Sequence, residues 1–404
     1  MSYKKVKISD IGKIVSGATP KTKDVDNYGG SIAWITPADL SGYTSKYISH
    51  GSRNITQKGY DSCSTHLMPR GTVLFSSRAP IGYVAIAENP ICTNQGFKSI
   101  VPNDDIDSEF LYYQLQYLRK KIQEKGSGTT FKEISGKVLG ETDIVVPSLE
   151  EQSRIVAHIE ELFSELDKAV DTLKTTKEQL EVYRQAVLKD AFDNAQAMCE
   201  RFTPIEELLV TDRKGMSTGP FGTMLKKHEH KTTGVPMLGI ENIDSGKFID
   251  GNKIFVTPEK AAELKSFALK SGDIIISRSG TVGELCVVPP RMEGALLSTN
   301  LMRVSLDCQK VLPEYFIYLF QSKGIVLDQV KELCKGSTRI FLNQTILKQI
   351  QFPIPNVHEQ LQIINTIESR LTFCDNIEKT VDTALAQADA MRQSILKQAF
   401  EGKI

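Results

Sequence analysis

Glu151-Gln-Ser-Arg-Ile-Val-Ala-His-Ile-Glu-Glu-Leu-Phe163, which runs on to Tyr183-Arg-Gln-Ala-Val-Leu-Lys-Asp-Ala-Phe192, returns 208 positions later as Glu359-Gln-Leu-Gln-Ile-Ile-Asn-Thr-Ile-Glu-Ser-Arg-Leu371, which runs on to Met391-Arg-Gln-Ser-Ile-Leu-Lys-Gln-Ala-Phe400. The register holds without a gap across 44 pairs, and 15 of them are identities, among them Glu151/Glu359, Gln152/Gln360, Ile159/Ile367, Arg184/Arg392, Gln185/Gln393, Lys189/Lys397 and Phe192/Phe400. That period is half of a 404-residue chain. Solenoid repeats run only to about 50 residues. The repeated unit is therefore a whole domain plus a long helix, and the function needs two of something.

The repeated strings read as coiled-coil helices. From Ile155 the apolar positions alternate by four and three through Ile159, Leu162, Leu166, Ala169, Leu173, Thr176, Leu180, Tyr183 and Val187, the spacing of an a/d seam. The second copy keeps it through Ile363, Ile367, Arg370, Cys374, Ile377, Val381, Ala384, Ala388, Met391 and Ile395, with Leu371 the substitute where Arg370 interrupts. Pro147-Ser148-x-x-Glu151 and Pro355-Asn356-x-x-Glu359 open the two helices as capping boxes. Roughly 38 residues at about 1.5 Å each give a rod of roughly 57 Å. One long segment precedes the first helix and the other follows it, so the second helix must run back antiparallel to bury the matching seam. This predicts two reading heads held on a spacer of fixed length, with the C-terminus returning near the first head.

The intervening segments, 1–148 and 199–356, align weakly but in the same order. Gly71-Thr-Val-Leu-Phe-Ser-Ser-Arg78-Ala-Pro-Ile-Gly82 corresponds to Gly272-Asp-Ile-Ile-Ile-Ser-Arg278-Ser-Gly-Thr-Val-Gly283, a strand, a Ser/Arg turn and a second strand. Thr93-Asn94 answers Thr299-Asn300, and Trp34 to Asp39 answers Met237 to Asn242. A tyrosine-rich helix (Phe110 to Tyr117; Tyr315 to Phe320), a polar glycine loop (Lys125 to Thr130; Lys335 to Arg339) and a last strand (Ile144 to Val146; Gln351-Phe352) complete each segment. The expected fold is two α/β (α+β) domains, 1–148 and 199–356, separated by the helices 149–198 and 357–404, with an internal pseudo-twofold repeat.

Composition narrows the classes. A hydrophobic fraction of 40% and a charged fraction of 24% are ordinary for a soluble protein. No apolar stretch suits a membrane span or an export signal, so a cytoplasmic location without membrane contact is expected. Seven scattered cysteines without a CxxC pair read as reduced thiols. Lys+Arg and Asp+Glu both total 49, but the neutral sum hides a pattern: 18 against 14 in 1–148, 20 against 17 in 199–356, 6 against 11 in 149–198 and 5 against 7 in 357–404. Two mildly basic surfaces sit on an acidic frame.

Loop side chains of these types suit nucleic acid, because Arg and Lys reach guanine edges or phosphates, Asn and Gln pair with adenine, and Ser or Thr holds phosphate. The candidates are Lys21, Lys23, Arg78, Asn94, Gln95, Ser127, Thr129 and Thr130 in the first segment, and Lys226, Lys227, Arg278, Ser279, Asn300, Lys335, Ser337 and Arg339 in the second. Ordinary surface solvation is the competing reading for each. Catalytic patterns are missing. Gly136-Lys137 and Gly246-Lys247 lack the rest of a phosphate loop. Pro289-Pro290-Arg291 has the wrong third residue for an adenine methyltransferase loop, and Asp250 with Glu263-Leu-Lys265 makes no convincing nuclease pattern. His228-Glu-His230 offers two imidazoles without a third ligand, so no metal site is expected.

This arrangement resembles the specificity subunit of Type I restriction-modification systems. The strings at 151–167 and 392–404 look like that family's central and C-terminal conserved regions, and the two long segments occupy the places of its target recognition domains. The resemblance implies a non-catalytic subunit that reads a bipartite, asymmetric double-stranded DNA sequence, one domain per half, with the helices setting the spacer. It also implies partners: two modification subunits that use S-adenosylmethionine to methylate adenines, and restriction subunits that use ATP and Mg. No cofactor is expected on this chain. The alternative is a coiled-coil scaffold that binds proteins and not DNA.

Overall fold

The repeated strings form two long helices, and the start of each packs against an α/β segment. The computed structural model describes residues 4–128, 132–199, 202–221, 224–278, 282–322, 324–333 and 342–403. Four helices organise the chain: α1 (Ser108–Glu124), α2 (Leu149–Met198), α3 (Pro313–Gln321) and α4 (Val357–Phe400). Two units emerge, Met1–Leu173 with Thr383–Ile404, and Lys174–Asp382. Each contains one α/β segment, the start of one long helix and the end of the other.

In the first unit a five-stranded sheet runs in the order Gly12–Ser16, Lys98–Pro102, Val73–Phe75, Val84–Ala87, Tyr47–Ile48. Its neighbours are antiparallel except the last pair. Trp34–Ile35 pairs in parallel with Cys92–Thr93, and Lys4–Lys7 pairs with Asp143–Val146, which delivers the chain to α2. Helix α1 covers the sheet because Phe110, Leu111, Leu115, Leu118 and Ile122 form its buried stripe.

The second unit repeats this plan. Met216–Thr218, Leu301–Val304, Ile274–Ser277 and Leu285–Val287 form an antiparallel sheet in that order. Met237-Leu238 pairs in parallel with Leu296-Leu297, and Phe202–Pro204 pairs with Gln351–Pro353 ahead of α4. The turn after Trp34–Ile35 is closed by the Thr36 N–H donating to the Asp39 carboxylate at 2.7 Å, and the turn after Met237-Leu238 by the Gly239 N–H donating to the Asn242 side chain at 2.9 Å. The weak alignment of the two segments is thus a real repeat.

Structure accounts for the identities in the repeated strings. Gln152 is fully buried: its amide donates to the carbonyls of Asp105 and Pro147, both at 3.0 Å, and its oxygen accepts the Asp107 N–H at 2.8 Å. Gln360 does the same, donating to Lys310 and Pro355 and accepting from the Leu312 N–H, all at 2.8 Å. Each glutamine therefore clamps the loop that enters the tyrosine-bearing helix onto the start of its long helix. Asn356 and Glu359 form a reciprocal capping box with both bonds at 3.0 Å, while Ser148 accepts the Glu151 N–H at 3.4 Å.

The far end of each string supplies a second anchor. Phe400 packs edge-on against Phe110 at 5.4 Å and stacks on Tyr117 at 5.6 Å, while Phe192 meets Tyr315 edge-on at 5.3 Å. Leu396 and Ala399 join the first core, as Leu188 and Ala195 join the second. Since Phe400 ends α4 yet packs on α1, the two long helices run antiparallel within the first unit, and Phe192 against α3 makes the same statement for the second.

Between these anchors the identical Asp167/Asp375 and Arg184/Arg392 pair crosswise. Arg184 holds Asp375 at 2.6 Å and Glu378 at 2.9 Å, and Arg392 holds Asp167 while lying 5.2 Å over the Phe163 ring. Ile155, Ile159, Leu180, Val187, Ile367, Val381 and Ile395 are buried, and Leu162, Leu166, Leu173, Ile363 and Ile377 are half-buried. The seam drifts from a strict heptad. Met391 is 54% exposed and Arg392 turns inward in its place, Leu371 replaces the exposed Arg370, and Val170 replaces the exposed Ala169. An α-helix has 3.6 residues per turn and a heptad 3.5 per turn, so the inward stripe walks around the helix.

Removing a clamp strands buried polar groups. Gln152→Leu or Gln360→Leu is expected to destabilise its own unit by about 2–4 kcal/mol, measured as a lower urea midpoint. Phe192→Ala or Phe400→Ala is expected to cost about 3–5 kcal/mol, seen as faster amide exchange in α3 or α1 respectively.

Candidate nucleic-acid interface

At one end of the first unit, backbone bonds gather loops from distant parts of the sequence. The Ser77 N–H donates to the Gly96 carbonyl at 2.7 Å and the Ser77 carbonyl accepts from the Ile134 N–H at 3.0 Å. The Ala18 N–H reaches the Thr93 carbonyl at 3.0 Å, and Asn94 is held by its N–H to the Ile35 carbonyl at 2.9 Å. Gly17 is required here, since a Cβ would lie 2.2 Å from the carbonyl oxygens of Thr93 and Asn94. Asn94 folds its side chain back to accept the Gly96 N–H at 2.8 Å, and Thr19 donates to Gln95. Arg78 stands 3.8 Å from Glu133, whose backbone pairs with that of Ser127. Arg78, Asn94, Gln95 and Ser127 thus share one surface. The loop carrying exposed Lys21 and Lys23 joins it at Ala18.

The nearby Thr36–Leu40 turn is rigid. Burial would raise the Asp39 carboxyl, but hydrogen bonds from Ser52 and Thr36 outweigh it and hold it below the usual carboxylate range. On the helix side, Lys46 lies between Glu109 at 3.0 Å and Glu160, tying the Tyr47 strand to α1 and α2. Burial and the bond to Glu109 push the Tyr47 phenol up to about 12.

The second unit builds the same junction with different side chains. The Arg278 N–H donates to the Asn300 carbonyl at 3.0 Å, its carbonyl accepts from Leu342 at 3.3 Å, and its guanidinium donates to the Thr299 carbonyl at 3.2 Å. Thr299 in turn donates to the Pro220 carbonyl at 2.8 Å. Gly219 repeats Gly17, with a Cβ there only 2.0 Å from the Ser298 carbonyl oxygen.

These bonds keep one expected correspondence and correct another. Arg278 occupies the place of Ser77, as the aligned strings have it, and is only 9% exposed, so it supports the surface from beneath; burial pulls its guanidinium below the ordinary value. Asn300 stands opposite Gly96, while Asn94 stands opposite Ser298. Lys226 and Lys227 are exposed on another turn, which Glu229 closes on the Lys226 N–H at 2.6 Å. Thr129, Thr130, Ser279, Lys335, Ser337 and Arg339 lie outside the described residues. The motifs set aside have structural partners: Arg291 pairs with Asp250 at 2.9 Å, and Lys260 joins Glu229 and Glu263. Among the described residues no group of three or more His, Cys, Asp or Glu side chains is placed to hold a metal, and no helix is long and apolar enough to cross a membrane.

A family model described as Type I restriction modification DNA specificity domain matches residues 2–182 and 221–387. The chain belongs to that family. The two matches coincide with the structural repeat, each taking in an α/β segment and the start of the long helix that follows. A Type I restriction enzyme specificity subunit of Methanocaldococcus jannaschii, MjaIX, is 31% identical over 365 residues, covering 86% of this chain and 82% of the relative. The EcoBI specificity subunit of Escherichia coli is 23% identical across the whole chain and 86% of its own. In fold, a solved chain from a study of Type I system assembly superposes with a TM-score of 0.73 at 17% identity, covering 100% of this chain and 98% of that one. The HsdS subunit of Thermoanaerobacter tengcongensis gives 0.55 at 16%, covering 100% and 97%. The chain combines two recognition domains with two coiled-coil helices.

Sequence reasoning passed over Arg278's supporting role because a polar turn hides which arginine points inward. Arg278→Met is expected to speed amide exchange of residues 298–301 about tenfold, the loss of roughly one hydrogen bond, while residues 94–97 exchange as before.

Proposed function

We propose that this chain is the DNA-recognition subunit of a Type I restriction-modification complex, reading a bipartite, asymmetric target on double-stranded DNA. The observation that carries this is the repeated loop junction with unequal side chains: Ser77, Asn94, Gln95 and Gly96 in one unit stand where Arg278, Ser298, Thr299 and Asn300 stand in the other. A repeated scaffold with different reading surfaces suits two different half-sites. Residues 1–148 and 199–356 are the recognition domains in this reading, and α2 and α4 set the unspecified spacer between half-sites.

The chain performs no chemistry of its own. Modification subunits supply S-adenosylmethionine-dependent adenine methylation, and restriction subunits supply ATP- and Mg-dependent cleavage, all in the cytoplasm. Exposed apolar side chains on the long helices, Val182 and Phe373 in one unit and Met391 in the other, favour docking of two modification subunits there. Such residues would otherwise face water at a cost in solubility.

The test is adenine methylation mapping of DNA from cells that carry this chain with its methyltransferase partner, beside cells lacking only this chain. A split, asymmetric motif that vanishes with the chain is the expected result. Complex formation without any chain-dependent motif would favour the protein-binding scaffold.

A further inference from the structure

We propose that Arg53, stacked on Tyr28, reads a guanine edge in the half-site of the first unit; this rests on the DNA-recognition reading above. Its guanidinium carbon lies 3.5 Å from the Tyr28 ring centroid, and the side chain is exposed. The platform beneath it is rigid. Tyr28 is 9% exposed, packs edge-on against Trp34 at 5.9 Å, and donates its hydroxyl to the Pro20 carbonyl at 2.9 Å. The same small cluster fixes the loop of Lys21 and Lys23, because Trp34 donates to the Ala18 carbonyl and Asn27 to the Lys21 carbonyl, both at 3.1 Å. Arg53 is therefore presented beside the candidate reading loops.

Two other cations of this unit are occupied. Lys58 is held by Asp24 and Asp26, both at 3.0 Å, and Arg78 faces Glu133. Among the described residues Arg53 makes no ion pair. A guanidinium laid flat on an aromatic face keeps its edge donors outward and has less freedom to lose on binding. Paired donors of that geometry match the O6 and N7 acceptors of guanine in the major groove.

The second unit lacks this device. Thr56 and Thr257 cap equivalent short helices by accepting the Gly59 and Lys260 N–H groups at 3.1 and 3.3 Å, which sets Arg53 opposite Ile254. The Gly29 N–H bond to the Asn54 carbonyl is answered by that of the Lys231 N–H to the Phe255 carbonyl, so His230 stands at the place of Tyr28 and Ile254 leaves it no arginine to carry. One unit carries a stacked arginine and the other does not, which is the kind of difference that unequal half-sites require.

The experiment maps adenine methylation by the full complex carrying Arg53→Ala or Arg53→Lys. Both variants are expected to keep one half-site intact and, in the other, to lose discrimination at a single G·C pair by ~10- to 100-fold. Lysine should not rescue it, since it keeps the charge without the fork. An unchanged motif, relaxation at an A·T pair, rescue by lysine, or a uniform loss of methylation at all sites would each overturn the proposal, the last two pointing to a phosphate contact. If the unsubstituted complex shows no bipartite motif, the recognition reading itself has failed, which separates the two.

Discussion

The structure depends on a buried glutamine used twice. Gln152 and Gln360 each join a loop carbonyl, a loop N–H and the carbonyl of the proline that precedes the helix, with nearly the same distances. A side-chain amide is suited to this because it offers donors and an acceptor at once. Replacing it with an apolar residue of like size would leave the loop groups dry and unpaired. The clamp therefore fixes each recognition domain to a helix start, and a phenylalanine from the end of the other helix fixes the same domain from a second direction. Each domain is thus held by both helices.

That rigid attachment separates two demands on the sequence. Residues that hold a domain to the helices, or one helix to the other, are the same in both copies: the glutamine, the Asp–Arg rung and the phenylalanine. Residues at the loop junction differ, although the backbone bonds that assemble it are shared. Gly17 and Gly219 show where the limit lies, since both permit a backbone approach that any side chain would block. The anchors of the frame are shared between the units and the surface is not, which is the arrangement a protein needs if it reads two unlike sequences with one plan.

Much of this was legible beforehand because it is periodic. The 208-residue repeat, the a/d stripe and the helix openings are patterns in residue spacing, and the fold class with its antiparallel helices follows from them. The junctions were less legible for physical reasons. A polar turn such as Ser76 to Gly82 or Ser277 to Gly283 has no period, so nothing in the string tells an inward arginine from an outward one; Arg278 lies inward beneath the surface while Arg78 reaches Glu133. The drift that exposes Met391 and buries the stem of Arg392 reflects the mismatch between 3.5 and 3.6 residues per turn. Arg53 gave no signal at all, since its stack on Tyr28 joins residues whose partnership only the tertiary fold creates.

In the proposed reading the helices, to which both domains are clamped, set the distance between half-sites. The most direct measurement removes residues 171–177 together with 382–388, which leaves the Arg184–Asp375 and Arg392–Asp167 rungs in place, and then determines the methylated motif. Seven residues of helix are about 10 Å long, or ~3 base pairs. Unchanged half-sites with a spacer shorter by about that amount are expected; an active complex that methylates the original motif at its original spacing would contradict a spacer set by the helices.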